Sequence, residues 1–244
     1  MDTTRSFLTY LTELRTRLLH CLLVLGACNL ILLPFANSLY HALALPLLKQ
    51  LPHASTLIVT ALPAAFFVPL KFSFILAIAL AIPFILYQFW GFVAPALYQS
   101  ERHWIWLILL LSSVLFYLGM LFAYAIVFPL LFKFFIQTAP AGVTVLPDIN
   151  QYLDLVTQLF FAFGLAFEIP VAIVILTTCN ITTSEKIAQQ RRYFIVLAFV
   201  FAMLLTPPDV VSQSLLAVPM CLLFEIGLLL ARFIKPMRSV TSHA

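Results

Sequence analysis

Apolar positions run almost unbroken along this chain, and polar ones gather at the ends of the runs. Residues 18–48, 72–100 and 103–132 contain no Asp, Glu, Lys or Arg. These stretches of 31, 29 and 30 residues each exceed the roughly 20 that a helix needs to span a bilayer. The pattern predicts helices over about 18–38, 69–92, 101–136, 151–179, 193–206 and 210–231. Ahead of the first, Phe7, Leu11, Leu14 and Leu18 recur at helical spacing, so residues 1–17 read as an amphipathic lead-in.

Punctuation residues set the rest. Residues 39–68 carry Pro46, Pro52 and Pro63. That segment is too broken to span and too apolar for a free linker, so it is expected at the membrane surface. A short loop precedes Arg102, and Ser100 is its candidate N-cap. Pro129 is expected to bend the third helix, and a loop at 137–150 follows. Glu168 and Pro170 interrupt the fourth, and a polar loop is expected at 180–192. The last two helices are short. Residues 193–206 reach roughly 21 Å, against a hydrocarbon core of roughly 30 Å. Pro207-Pro208-Asp209 reads as a hairpin turn, and Pro219 as a break in the last helix. Such a pair thins the membrane locally or borders a wet depression.

Composition agrees. Hydrophobic residues make up 64% and charged ones 9%, against about 25% charged in soluble domains. Disordered chains, secreted disulfide scaffolds and cytosolic enzymes are excluded as classes. Cys21, Cys28, Cys179 and Cys221 lie in or beside apolar runs and read as packing residues. The N-terminus reads as an uncleaved first span rather than a signal peptide. The fold class is an all-α integral membrane protein with six transmembrane helices. The expectation is one membrane domain over 1–244, with a tail at 232–244. Placing both termini in the cytoplasm puts Arg5, Arg15, Arg17, Arg102, Lys186, Arg191, Arg192, Arg232, Lys235 and Arg238 inside. Only Lys49, Lys71 and Lys133 then lie outside, the asymmetry that the positive-inside rule demands.

Candidate chemistry is sparse. There is no P-loop, no H-E-x-x-H, no G-x-S-x-G and no G-x-x-x-G. The five histidines are scattered, so no metal or cofactor is expected. What stands out is a handful of acids. Glu13 and Glu101 lie among basic residues at one face. Two carboxylates there suit a cationic ligand, and guanidinium best, because it forms paired hydrogen bonds. The plainer readings are an i,i+4 pair of Glu13 with Arg17 and a helix-dipole role for Glu101. Glu168 sits mid-membrane, where a carboxyl group is costly and signals function, unless it bonds a backbone group freed by Pro170. Asp209 is a candidate N-cap. With Thr206, Ser212 and Gln213 it forms a polar patch able to hold a partner helix. Trp90, Trp104 and Trp106 read as interface anchors. A translocation receptor and a proton-coupled solute transporter both fit these features. An intramembrane enzyme fits less well, because no nucleophile–base pair assembles.

Four motifs narrow the choice. They are Leu11-Thr-Glu13-Leu-Arg15-Thr-Arg17, Phe92-Val-Ala-Pro95-Ala-Leu97-Tyr98-Gln-Ser-Glu101-Arg102, Ala162-Phe163-Gly164-Leu-Ala-Phe167-Glu168-Ile-Pro170 and Leu205-Thr206-Pro207-Pro208-Asp209. In order and spacing they resemble the TatC family, the multispanning core of the twin-arginine (Sec-independent) protein translocase, and the resemblance covers essentially the whole chain. It implies six tilted helices with cytoplasmic termini in the bacterial inner membrane, and no enzyme activity. It implies binding of twin-arginine signal peptides of folded substrates, with transport driven by the proton motive force. Glu13 and Glu101 would face the arginines, with Arg15, Arg17, Phe92, Pro95 and Arg102 shaping that site. Met203, Thr206 and Gln213 would meet the single-span partners TatB and TatA. Pro46 and Asp209 would lie in external loops, and Glu168 on the concave wall. Oligomers with further TatC copies are implied, and no nucleic acid. Two departures stand out: Tyr10 replaces an expected histidine, and Leu62-Pro63-Ala64-Ala65 lacks an expected acid.

Overall fold

The computed structural model describes residues 2–39, 58–60, 63–93, 102–138, 148–178, 181–206 and 209–233. Those residues are overwhelmingly helical, and their extended structure is limited to a single bridge between Ile58 and Asp148. Helix α1 covers Asp2–Leu32, and a 3-10 turn over Leu33–Phe35 that holds Pro34 carries the helical path on to Leu39. Helix α2 covers Ala64–Val93 and α3 Arg102–Phe122. A π turn, Ala123–Val127, joins α3 to α4, Phe128–Gln137. Then follow α5 (Ile149–Phe167), α6 (Ile169–Thr178), α7 (Ser184–Gln189), α8 (Arg191–Leu205) and α9 (Val210–Phe233). Among the described residues, five helical stretches are long and apolar enough to cross a bilayer: Leu11–Leu39, Phe66–Phe89, Leu109–Gln137, Ile149–Thr178 and Val210–Phe233.

Several boundaries differ from expectation, for local reasons. The lead-in is no separate element, since α1 runs through it without a break. Helix α2 begins earlier than expected, because the Pro63 carbonyl accepts the Phe66 and Phe67 amides and starts the helix there. The bend expected at Pro129 takes the form of the π turn. Proline has no amide hydrogen and its ring crowds the carbonyl four residues back. Widening the turn relieves that crowding, and the Phe128 amide reaches back five residues to Ala123 O. Part of the polar 180–192 loop is helical: the Thr183 hydroxyl caps α7 by accepting from the Lys186 amide at 3.4 Å. Pro219 does not break α9, which continues through it.

The chain divides into two compact units, residues 1–114 with 138–157 and residues 115–137 with 158–244. In the first, α1 lies along α2, whose Val68, Phe72, Ala77 and Ala81 are buried. In the second, Phe116, Phe128, Leu131 and Phe163 are wholly buried. Aromatic pairs stitch this core, with Phe128–Phe160 ring centroids 5.0 Å apart and Phe122–Phe163 5.5 Å apart. Glycine lets the backbones approach. A Cβ on Gly119 would lie 2.4 Å from Phe163 O, and one on Gly164 would lie 2.6 Å from the Phe116 ring. The chain has no G-x-x-x-G, yet single glycines on facing helices serve the same close packing. A second cluster joins Ile173, Phe224, Leu228 and Ala231 with Ile187, Ala188 and Phe194. Large apolar side chains cover the outside, where Leu23, Leu30 and Val210 are 70%, 70% and 80% exposed. A surface of that kind suits hydrocarbon rather than water.

Candidate functional site

Glu13 and Arg17 share one face of α1, a helical turn apart. The Arg17 guanidinium donates to Glu13 Oε1 through Nε at 3.0 Å and through Nη2 at 2.6 Å. Its Nη1 donates across to α2, to the carbonyl and the side-chain oxygen of Gln88 at 3.3 and 3.2 Å. The plainer i,i+4 reading of Glu13 is therefore present in the structure. Both Arg17 contacts fall on one carboxylate oxygen, and the Glu13 side chain stays 40% exposed against 23% for Arg17. Arg15 points to another, exposed face. The cluster binds the two helices on the turn of α2 just before its C-terminal end. Nothing in the sequence singles out Gln88, because an isolated glutamine in an apolar run carries no pattern.

Pro95 and Glu101 fall outside the described residues, as does Pro46. Phe92 and Arg102 lie in the last turn of α2 and the first of α3, with their side chains outside the described set. Of the expected arginine-binding residues, the structure thus brings together Glu13 and Arg17.

At the other end of the first unit, Asp148 organises a polar clasp. It is buried. Its Oδ1 caps α5 by accepting the Asn150 and Gln151 amides at 2.8 and 3.2 Å. Its Oδ2 accepts the Thr60 amide at 3.1 Å and the Thr60 hydroxyl at 2.6 Å. The Thr60 hydroxyl, ahead of the backbone amides, holds the Asp148 carboxyl below the usual carboxylate range. An ion pair between Lys71 and Asp154 ties α2 to the next turn of α5. A sequence signal for Asp148 exists, an acid directly before an apolar run, but the expected 137–150 loop absorbs it.

In the second unit, Thr206 ends α8 in extended geometry, as the residue before a proline must. Its buried hydroxyl donates to Ala202 O at 2.9 Å. Asp209 is the N-cap of α9, accepting the Ser212 amide at 2.7 Å, so the capping expectation holds. Gln213 is half-buried and Met203 is 50% exposed. Pro207 and Pro208 fall outside the described residues. Beside this patch a cavity of about 530 Å³ opens between the π turn and the first half of α9, lined by Phe122, Ile126, Val211, Leu215 and Pro219 among others. Glu168 forms the one-residue turn between α5 and α6. Its amide bonds Leu165 O at 3.1 Å, its carbonyl accepts the Ala172 amide at 2.9 Å, and its Oε1 is enclosed by protein. A further acid, Glu225 on α9, pairs with Arg191 at 2.8 Å. It is absent from the expected site residues although, like Glu168, it interrupts an apolar run. Among the described residues no three of His, Cys, Asp and Glu come within reach of one metal ion.

Helical stretches of spanning length and an apolar exterior define an all-helical, multi-pass membrane protein. Comparison with known proteins narrows this. The family profile of Sec-independent protein translocase protein (TatC) matches residues 9–219. The TatC of Haemophilus influenzae is 50% identical over 236 residues, covering 97% of this chain and 92% of the relative. That of Escherichia coli K12 is 51% identical over 233 residues, covering 96% and 90%. A crystal structure of the twin-arginine translocase receptor TatC superposes with a TM-score of 0.83 at 38% identity, covering 92% of this chain and 98% of that one. The chain belongs to the TatC family. It is a component of the Sec-independent protein translocase and a multi-pass protein of the bacterial inner membrane.

Proposed function

We propose that the chain is the signal-peptide receptor of this translocase, binding consecutive arginines through Glu13 and Glu101 on the cytoplasmic side. The observation that carries it is the Glu13–Arg17–Gln88 cluster. Glu13 already holds a guanidinium by the bonds that a signal-peptide arginine would use. Arg17 acts as a resident occupant that an incoming arginine must displace or share with. A strongly hydrated ammonium matches that geometry poorly, which gives discrimination of arginine over lysine. Arg15, Phe92, Pro95 and Arg102 shape the surrounding surface.

The rest of the reading follows the family. Arg191–Leu205 serves as a sixth, short span, all six form one membrane domain over 1–244, and both termini are cytoplasmic. Folded substrates cross at the expense of the proton motive force rather than of nucleotide hydrolysis. TatB and TatA dock beside Met203, Thr206 and Gln213, next to the apolar cavity on α9, and further TatC copies complete the complex. Asp209 and Pro46 lie in external loops, and Glu168 faces the concave wall.

Photo-crosslinking of the purified protein to signal peptides tests the reading. An Arg-Arg peptide is expected to label about tenfold or more over its Lys-Lys counterpart, as for loss of one charge-assisted pair. Glu101→Gln and Glu13→Gln should each remove that preference. Equal labelling of both peptides, or an unchanged preference in Glu101→Gln, overturns the proposal.

A further inference from the structure

The Arg17 guanidinium is held at three corners, and its bonds to Glu13 are divided unequally. Nε and Nη2 both donate to Glu13 Oε1, at 3.0 and 2.6 Å. Nη1 donates to two oxygens of Gln88, the carbonyl at 3.3 Å and the side-chain Oε1 at 3.2 Å. Among the described residues no donor reaches Glu13 Oε2. Arginine and a carboxylate frequently pair fork to fork, with one bond on each oxygen. Here one oxygen takes both bonds and the other is left open. The open oxygen belongs to the more accessible partner, since the Glu13 side chain is the more exposed of the two.

Glu13 and Arg17 by themselves do not account for that asymmetry. Both ride on α1, and an i,i+4 pair is weak and free to close its fork. The third corner is fixed from another helix. Gln88 is half-buried on α2, in the apolar run Ile85-Leu86-Tyr87-Gln88-Phe89. A side-chain oxygen in such a run needs a donor, and Gln88 takes it from Arg17. The two Gln88 contacts are already at the long end of the hydrogen-bond range. Any slide of the guanidinium towards Glu13 Oε2 draws Nη1 off both of them. Two acceptors on α2 thus hold Arg17 to one side of the carboxylate.

We infer that Gln88 is a positioning residue of the receptor site: it holds Arg17 against Glu13 Oε1 and so keeps Glu13 Oε2 open for a signal-peptide guanidinium. The inference rests on the signal-peptide reading and adds to it how Glu13 serves two arginines. The incoming arginine shares the carboxylate with Arg17 instead of displacing it. It takes Oε2 through two N–H groups, as Arg17 takes Oε1. Without the Gln88 side-chain oxygen, only the carbonyl contact at 3.3 Å would restrain Arg17, and its fork would close on both Glu13 oxygens. An arginine would then meet an occupied, neutral pair. It would hold no advantage over lysine, whose ammonium lacks the planar fork.

The test is a titration of the full-length protein, in mild detergent at fixed ionic strength, into fluorescent Arg-Arg and Lys-Lys signal peptides. Anisotropy gives the ratio of the two affinities. A general change in charge or packing moves both peptides together, whereas the open oxygen moves the ratio. Wild type should favour Arg-Arg about tenfold or more. Gln88→Met matches glutamine in length and helix preference and should bring the ratio close to unity. Gln88→Asn keeps the amide on a shorter stem and should do the same. Gln88→Glu restores an acceptor for Arg17 and should keep the wild-type ratio or raise it. A wild-type ratio of unity overturns the receptor reading and this inference with it. A wild-type preference that survives in Gln88→Met or Gln88→Asn, or that is lost in Gln88→Glu as well, overturns the role of Gln88 alone.

Discussion

Gly119→Ala probes the packing on which the second unit depends. The added Cβ would stand 2.4 Å from Phe163 O, 2.8 Å from Phe163 C and 3.0 Å from Gly164 Cα. All three are backbone atoms, so no side chain can swing aside, and α3 and α5 must separate by about 1 Å to regain van der Waals contact. The neighbouring Phe122–Phe163 and Phe128–Phe160 pairs would loosen with them. Overpacking of this kind costs about 1–3 kcal/mol, and rigid backbone on both sides places this case near the top of that range. Replacing glycine within a helix returns about 1 kcal/mol, leaving a net loss of about 2 kcal/mol. A built-in control exists. Gly26 has nothing within 4 Å of its would-be Cβ, so Gly26→Ala should be neutral or up to about 1 kcal/mol stabilising. Thermal unfolding in detergent, followed by fluorescence-detected size exclusion, should show Gly119→Ala lowered by about 4–8 °C and Gly26→Ala unchanged or raised. If the two variants behave alike, or Gly119→Ala matches wild type, the close approach of α3 and α5 is not what holds this unit.

Other expectations follow from the polar clasps. Asp148→Ala should cost about 1–2 kcal/mol through loss of the α5 cap, seen as faster hydrogen exchange at Asn150, Gln151 and Thr60. Asp148 also carries a pH dependence of defined sign. Its folded pKa is depressed, so its stabilisation is complete above the unfolded value of about 3.9 and fades as pH falls through the folded one. Asp148→Asn should flatten the acid limb of an unfolding titration, and an unaltered limb would remove Asp148 from the account. At the α8–α9 turn, Asp209→Ala should cost about 0.5–2 kcal/mol and speed exchange at the Ser212 amide, whereas Asp209→Asn, an equally good cap, should not.

The membrane class of this protein, its main spans and several of its helix ends are written in the chain itself. They depend on local quantities: the length of charge-free runs, an acid before a helix at Asp209, a proline that must be accommodated at 129. Such terms act over a few residues, so they survive the absence of three-dimensional information. The family is legible too, because its motifs keep residue type and spacing together. What only the tertiary structure decided is partnership. Gln88 meets Arg17 across 71 positions of sequence and Thr60 meets Asp148 across 88, and no periodicity carries that information. The same holds for Gly119 and Gly164, whose need for bare backbone arises only when α3 and α5 touch. It holds for Glu225 as well, an acid in an apolar run that acquires meaning only when Arg191 and an apolar groove lie beside it. Local chemistry selects the elements, and it is packing at a distance that decides which few charges in so apolar a chain find one another.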